Sequence, residues 1–360
     1  MLAGTVLAAL AALGTCSPAA AATPPDTTRW FYHGRDYGSD ALVNPLQLVV
    51  NGAFGILQLE NRDPRLDHID YANGARNVWM NLRDPFTSIR ASGWRNFVGQ
   101  ELLPFSTTVR DARYWPNYTQ HLIGGGMSWR MMKEWYTAHD YAHPTAWSLV
   151  TLGGYHFLNE VVENDGYVGR TTDPIADLEV FDPLGILLFS HPSVCAFFSR
   201  RLNMADWSYQ PCIDPTTHAL ANNGQNFALK LPIGHTRWSL FDDYGVHSEG
   251  GLSYALGPGR GSISFGGGFS ASDLVDLGNG ERTVDLVPSG GLFYDRDNSL
   301  LASLSWSRHG REPVRVNLYP GWLKIAGWSP GMFVAENQRG KLAMGLNVAG
   351  QIPVGFAFQP

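Results

Sequence analysis

Ser299-Leu300-Leu301-Ala302-Ser303-Leu304-Ser305-Trp306 decides the class of the second half of this chain. In an extended chain Leu300, Ala302, Leu304 and Trp306 point one way, and Leu301, Ser303 and Ser305 the other, because side chains of a strand alternate between faces. The neighbouring stretches repeat the pattern. Leu252, Tyr254 and Leu256 alternate with Ser253 and Ala255, and Ile263, Phe265 and Phe269 alternate with Ser and Gly. Val314, Val316 and Leu318 do the same, as do Ile352, Val354, Phe356 and Phe358 against Pro353, Gly355 and Ala357. Gly257-Pro258-Gly259-Arg260-Gly261 and Arg296-Asp297-Asn298 supply turns between such runs. About eight to ten antiparallel strands are expected over 222–360, with soft boundaries.

Large apolar residues on one face and Gly or Ser on the other is the pattern of a small outer-membrane barrel. Trp238, Trp306, Trp322 and Trp328 fall near strand ends, where an interfacial girdle sits. Several runs are shorter than the roughly 9–11 residues a membrane strand needs. A soluble antiparallel barrel or sandwich alternates in the same way.

Upstream of Asn222-Asn223-Gly224 the period is helical. Asn44 and Pro45 form an N-cap and first helical position, with Leu48, Gly52, Gly55 and Leu59 following on one face. A helix is expected within Asp67 to Arg83, and another from Asp84-Pro85 to Leu103, where Pro104 stops it. Further helices start near Pro116 and Pro144. In the latter Trp147, Val150, Gly154, Phe157 and Val161 form an apolar stripe that should pack inward. A short helical segment over Asp173 to Phe189 follows. The expected organisation is α+β: a signal over 1–22, a linker over 23–43, a helical domain over 44–221 and an antiparallel β-barrel over 222–360.

Composition agrees with an envelope protein. Charged residues are 16% of the 360, well below the roughly 25% usual for soluble domains. Twelve Trp, 14 Tyr and 18 Phe supply many amphipathic rings. A net charge of −6 leaves no electrostatic footprint for nucleic acid. Leu2 to Leu13 is apolar and Ala19 to Ala22 offers an Ala-x-Ala cleavage pattern, as in an export signal. Cys16 sits in a lipobox-like Leu-Gly-Thr-Cys, an alternative lipidation site. The remaining Cys195 and Cys212 are an even pair in an oxidising compartment and are expected to form a disulfide.

The ionisable residues of the helical half are the candidate site. His156, Glu160 and Glu163 share one helix face at i, i+4 and i+7. Glu160 can fix the tautomer of His156, making an oriented general base, and His121 can join from the preceding helix. Gly124-Gly125-Gly126 allows close helix approach there. These three are the catalytic candidates, and Asn117, Arg130, Glu163 and Asp177 the binding candidates. The competing reading is a buried polar network that locks helix register. His121, His156, Glu160 and Asp177 are also ligand types, but the order His156-x-x-x-Glu160 does not match a Glu-x-x-His di-iron motif, so no metal and no cofactor are expected. No Gly-x-Ser-x-Gly elbow occurs.

Asn117-Tyr118-x-x-His121, Asn159-Glu160-x-x-Glu163, Asp173-Pro174-x-x-Asp177-Leu178 and Pro183-Leu184-Gly185 resemble the motifs of an uncharacterised bacterial cell-envelope domain family, over about 70 of 360 residues. Leu122 stands where that family has Pro, and Asn159 where it has an aromatic residue. The resemblance implies an envelope location and a polar helical core, and no particular reaction. The expected function is an exported, outer-membrane-associated protein that binds a membrane lipid or an envelope partner through its helical domain. The alternatives are a lipid-directed hydrolase or acyltransferase using His156 and Glu160, and a soluble periplasmic binding protein.

Overall fold

The computed structural model describes residues 29–103, 116–278, 281–308, 311–324, 328–336, 340–348 and 354–358. The expected signal over 1–22 and Cys16 lie outside these residues. Helix α1 (Pro45–Ala53) begins as its sequence dictates: the Asn44 side chain accepts the Gln47 N–H at 2.9 Å, and Pro45 occupies the first turn. Asp70 caps α2 (Tyr71–Arg83) in the same way. The single helix expected from Asp84 to Leu103 is instead two, α3 (Pro85–Ser92) and α4 (Trp94–Asn96, continuing as a π-helical stretch Phe97–Leu102). Gly93, at φ +90°, divides them.

Helix α5 opens as a π-helical stretch, Asn117–Gly125, and continues as Gly126–Ala138. Then come α6 (Pro144–Glu163) and α7, built from Asp173–Ile175, a π-helical Ala176–Phe181 and Asp182–Phe189. Helix α8 is Pro192–Ala196 followed by π-helical Phe197–Arg201. Among the described residues no single helix is long and apolar enough to cross a membrane.

Helix α6 turns its polar face inward. Ser148, Thr151, Tyr155, His156 and Glu160 are buried, while Val150, from the stripe expected to pack, is 56% exposed. Of that stripe Val161 is buried and Trp147 packs against the core. The polar face has partners on α5 and α7, described below, and this decides the rotation. The expected linker over 23–43 is also corrected where it is described. Trp30, Phe31 and Tyr32 are buried, and their three backbone N–H groups donate to Glu134 Oε2 at 2.9–3.0 Å. One carboxylate thereby anchors the segment to α5.

The strands are β1 (Ala205–Asp206), β2 (Cys212–Ile213), β3 (Leu220–Ala221), β4 (Phe227–Pro232), β5 (Trp238–Tyr244), β6 (His247–Ala255), β7 (Ser262–Gly278) and β8 (Glu281–Arg296). They continue as β9 (Ser299–Ser307), β10 (Val314–Leu318), β11 (Pro330–Glu336), β12 (Leu342–Val348) and β13 (Gly355–Phe358). All belong to one sheet, ordered β1-β4-β5-β6-β7-β8-β9-β10-β11-β12-β13-β2-β3. The fold is therefore α+β, with two departures from the expected 222–360 barrel. The sheet starts at Ala205, and it is mixed, since β13 pairs with β2 in parallel. The order runs from β1 to β3, and these two end strands are not paired with each other.

Register places one large apolar residue per strand in a single row from β4 to β13: Leu231, Leu240, Leu252, Phe265, Leu292, Leu304, Val316, Val334, Met344 and Phe358. All but Leu252 are exposed, from 36% at Val334 to 63% at Phe358. Residues one step along point inward and are buried, including Phe241, Ser253, Ser264, Phe293, Ser303, Asn317 and Phe333. The alternation read from 299–306 holds from Ser303 to Trp306 and fails before it. A register shift between Tyr294 and Asp295 leaves Leu301 as an extra residue, and both Leu300 and Leu301 are buried. Trp207, Phe241, Phe293, Leu300 and Tyr319 fill the inside, with Lys230 paired to Asp295. Phe227 and Tyr244 also join the helical core, so sheet and helices share one apolar cluster.

The expected Cys195–Cys212 disulfide does not form. Both thiols are buried and free; Cys195 Sγ donates to Phe189 O within the helical core, whereas Cys212 packs beside Phe333 and Ala335 in the sheet. Different elements claim the two cysteines, which sequence spacing cannot show. Mass spectrometry after alkylation in denaturant, without prior reduction, should find both thiols labelled, and reductant should leave the melting temperature unchanged.

Candidate functional site

Three helices deliver the site. His121 comes from the π-helical start of α5, His156 and Glu160 from α6, and Asp177 and Asp182 from α7. A π-helical turn is wider than an α-helical one, is rare, and is frequent at functional sites. Here two such stretches carry His121 and Asp177, and a third, in α4, carries Glu101.

Glycines let the helices approach. A Cβ on Gly126 would stand 2.5 Å from the Phe189 ring and 2.7 Å from the Gly185 carbonyl oxygen, so α5 and α7 cross backbone to backbone there. A Cβ on Gly125 would meet His156 at 2.9 Å, and one on Gly124 the Phe227 ring of β4 at 2.5 Å. The glycine run thus seats a helix, a site residue and the sheet in three successive positions.

Asp182 is the centre of the polar set. Its Oδ1 accepts from His121 Nδ1 at 3.1 Å and its Oδ2 from His156 Nδ1 at 2.5 Å. An ionised carboxylate only accepts, so both rings carry hydrogen on Nδ1. The rings lie 4.6 Å apart, centroid to centroid. His121 Nε2 faces the other way, 3.3 Å from Asp177 Oδ2. One ligand-capable atom each of His121, Glu160 and Asp177 lies within 4.8 Å of the others. All five residues are at most 8% exposed.

Burial and charge divide these groups. Burial raises the Asp182 carboxyl, but His156 and His121 outweigh it and hold the group down at about 2. Burial lowers His156 more than Asp182 raises it, so this imidazole is neutral near pH 7. Asp177 is pushed well above the usual carboxylate range, by burial first and then by the charges of Asp173, Glu160, Glu101 and Asp182. Paired carboxylate and crowded carboxylate thus sit on one helix, five residues apart.

The structure brings together His121, His156, Glu160 and Asp177 from the sequence candidates and leaves the rest outside. Asn117 donates to the Glu101 carbonyl at 3.1 Å and supports the edge of the site. Arg130 donates to Glu134 at 2.8 Å and belongs to the anchor of residues 30–32. Glu163 lies at the end of α6, where its carbonyl accepts from Arg62. Glu160 does not orient His156; Asp182 does, and sequence reading missed it. Its signal was the Asp182-Pro183 pair inside a helix, an acidic first-turn residue before Pro. Glu101, held by Thr172 Oγ1 at 3.0 Å, was missed as well.

A second polar group lines a cavity of about 60 Å³ in the sheet, with Tyr209, His247, Glu249, Glu312 and Arg315 around it. His247 pairs with Asp243 at 2.9 Å and Arg315 with Glu312, so its charges largely answer one another. No family model, no curated protein and no solved structure matches the chain. The site is read from its own geometry.

Asp182→Ala leaves two buried imidazoles without their shared acceptor and should cost roughly 3–5 kcal/mol in thermal or chemical unfolding, with Asp182→Asn costing less. Gly126→Ala should cost about 1–3 kcal/mol by overpacking. Gly154→Ala, where a Cβ meets nothing within 4 Å, should be neutral or stabilise by up to about 1 kcal/mol in the same unfolding assay.

Proposed function

We propose that this protein is an exported outer-membrane anchor. Its sheet closes into a barrel embedded in lipid, and its helical domain is held at the membrane to bind a lipid or an envelope partner. The observation that carries this reading is the row of ten large apolar side chains, one on each strand from β4 to β13, facing outward. A soluble monomer rarely exposes a contiguous apolar patch above roughly 600 Å². An outward apolar row across ten strands is a surface of that kind, and lipid is the surrounding that removes its cost.

Further features support the same reading. One pleat along, Trp238, Tyr254, Ile263, Tyr294 and Phe356 form a row rich in aromatic residues, as an interfacial girdle requires. On the opposite side of the apolar row the register passes through Asp242 and Glu336 but also through exposed Trp306, Val314 and Leu342, so apolar surface continues there on part of the sheet. Strands β7 and β8, at 17 and 16 residues, exceed the roughly 9–11 that span a bilayer.

The strand order supports closure. β1 and β2 are the two ends of one segment, 205–213, and β3 and β4 belong to a second, 220–232. Between those ends Trp207 N–H donates to Asn226 O and Tyr209 N–H to Gly224 O, each at 2.9 Å. Following the pairs from 205–213 through 220–232 and β5 to β13 leads back to β2. Two segments and nine strands make eleven staves. An odd ring requires one parallel pair, which β13–β2 supplies.

For the helical domain, Phe86 and Trp94 are 59% and 49% exposed and pack on each other, 6.3 Å between ring centres, an apolar patch suited to a lipid or a partner. The lipid-hydrolase reading is weaker, since His156 and Glu160 are buried and His156 is oriented by Asp182.

The full chain should fractionate with outer membranes, need detergent for extraction, and migrate differently on gels before and after heating. Phe265→Arg and Leu292→Arg should each lower membrane recovery, by roughly 2–4 kcal/mol of insertion free energy near the midplane, whereas inward Ser303→Ala should not. Recovery in the periplasmic fraction without detergent supports a soluble binding protein instead.

A further inference from the structure

We propose that His121, Glu160 and Asp177 bind a divalent first-row transition-metal ion of the zinc class, which ties α5, α6 and α7 together. The proposal is independent of membrane insertion. A mixed imidazole and carboxylate set suits such ions, with bonds of about 2.0–2.2 Å. In a tetrahedral shell two ligands of one ion are about 3.3–3.6 Å apart. His121 Nε2 and Asp177 Oδ2 already stand 3.3 Å apart, and all three ligand atoms lie within 4.8 Å of one another, so side-chain movements of about an ångström complete the site.

The orientation of His121 is the second observation. Its Nδ1–H is committed to Asp182 Oδ1 at 3.1 Å, which directs Nε2 at Asp177. A carboxylate behind a histidine, fixing the tautomer so that the other nitrogen faces the ion, is the arrangement that metal sites use. Asp182 in turn is braced by His156. Asp182 and His156 are therefore positioning residues, outside the ligand set.

Third, Asp177 is 5% exposed, and its Oδ1 is fully buried with no hydrogen-bond partner among the described residues. A buried carboxylate oxygen is costly without a partner. Glu160 and Glu101 add negative charge beside it, so a cation is the partner this corner of the core favours. The ion takes the lone pair of His121 Nε2 and the carboxylate of Asp177, and a proton displaced from that carboxyl leaves to solvent.

The test uses the full-length protein in detergent, treated with chelator, dialysed, and then titrated with zinc or cobalt chloride. Metal per chain is read by mass spectrometry, ligand type by the visible cobalt spectrum and nitrogen coordination by electron spin-echo or X-ray absorption spectroscopy, and stability by thermal melting. The expected result is one ion per chain, histidine nitrogen in its shell, and a higher melting temperature. His121→Ala and Asp177→Asn should lose the ion, while His139→Ala, at the exposed end of α5, should keep it. A wild-type chain that stays metal-free, a folded His121→Ala that binds as much as wild type, or a bound ion without histidine nitrogen overturns the proposal. The last readout needs only the wild type, so it decides the matter even where the variants do not fold.

Discussion

A carboxylate shut inside a helical core must be answered by donors, and much of this molecule's helical half follows from how Asp182 is answered. Its two oxygens take one imidazole each, from His121 and His156, on two different helices. That single residue fixes the relative rotation of α5, α6 and α7. It is possible only because Gly126 and Gly185 let α5 and α7 touch at the backbone. Removing either glycine's freedom pushes the carboxylate away from its partners, so a packing constraint and an electrostatic one are the same constraint here.

Glu134 repeats the principle at a different place. It draws in the backbone of Trp30, Phe31 and Tyr32, accepts from Arg130, and so turns a chain segment into part of the core. In both cases the buried charge has no cheap alternative partner, which is why it specifies one arrangement. The cost of such networks is offset by neighbours that are large and apolar: Met127, Met131, Met132 and Tyr136 on α5 are each at most 1% exposed.

The sheet obeys the opposite distribution. Its interior mixes Trp207 and Tyr319 with Lys230, Asp295, Asn317 and Arg315, and its outer row is apolar on strand after strand. On α6 too, Val150 faces out while Ser148, Thr151, His156 and Glu160 face in, within a helical core that is otherwise apolar.

The α+β order, the cap at Asn44 and Pro45, the long run of strands after Asn222 and most strand faces were legible in the sequence, because they depend on local periods and on backbone chemistry at Pro, Asn and Gly; the short strands from Ala205 to Ala221 were not. His121, His156, Glu160 and Asp177 stood out for a similar reason: ionisable residues in apolar helices carry a cost wherever they end up. What remained hidden depends on contacts between distant segments. The inward rotation of α6, the free thiols of Cys195 and Cys212, and the role of Asp182 are each decided by partners far along the chain, and the reversal at Leu300 by a register shift against β8. Sequence alone therefore determined which elements form and which residues are expensive to bury; only the tertiary structure decided which face each helix turned inward and which carboxylate met which histidine, because that choice is made by the pairing of buried charge across elements.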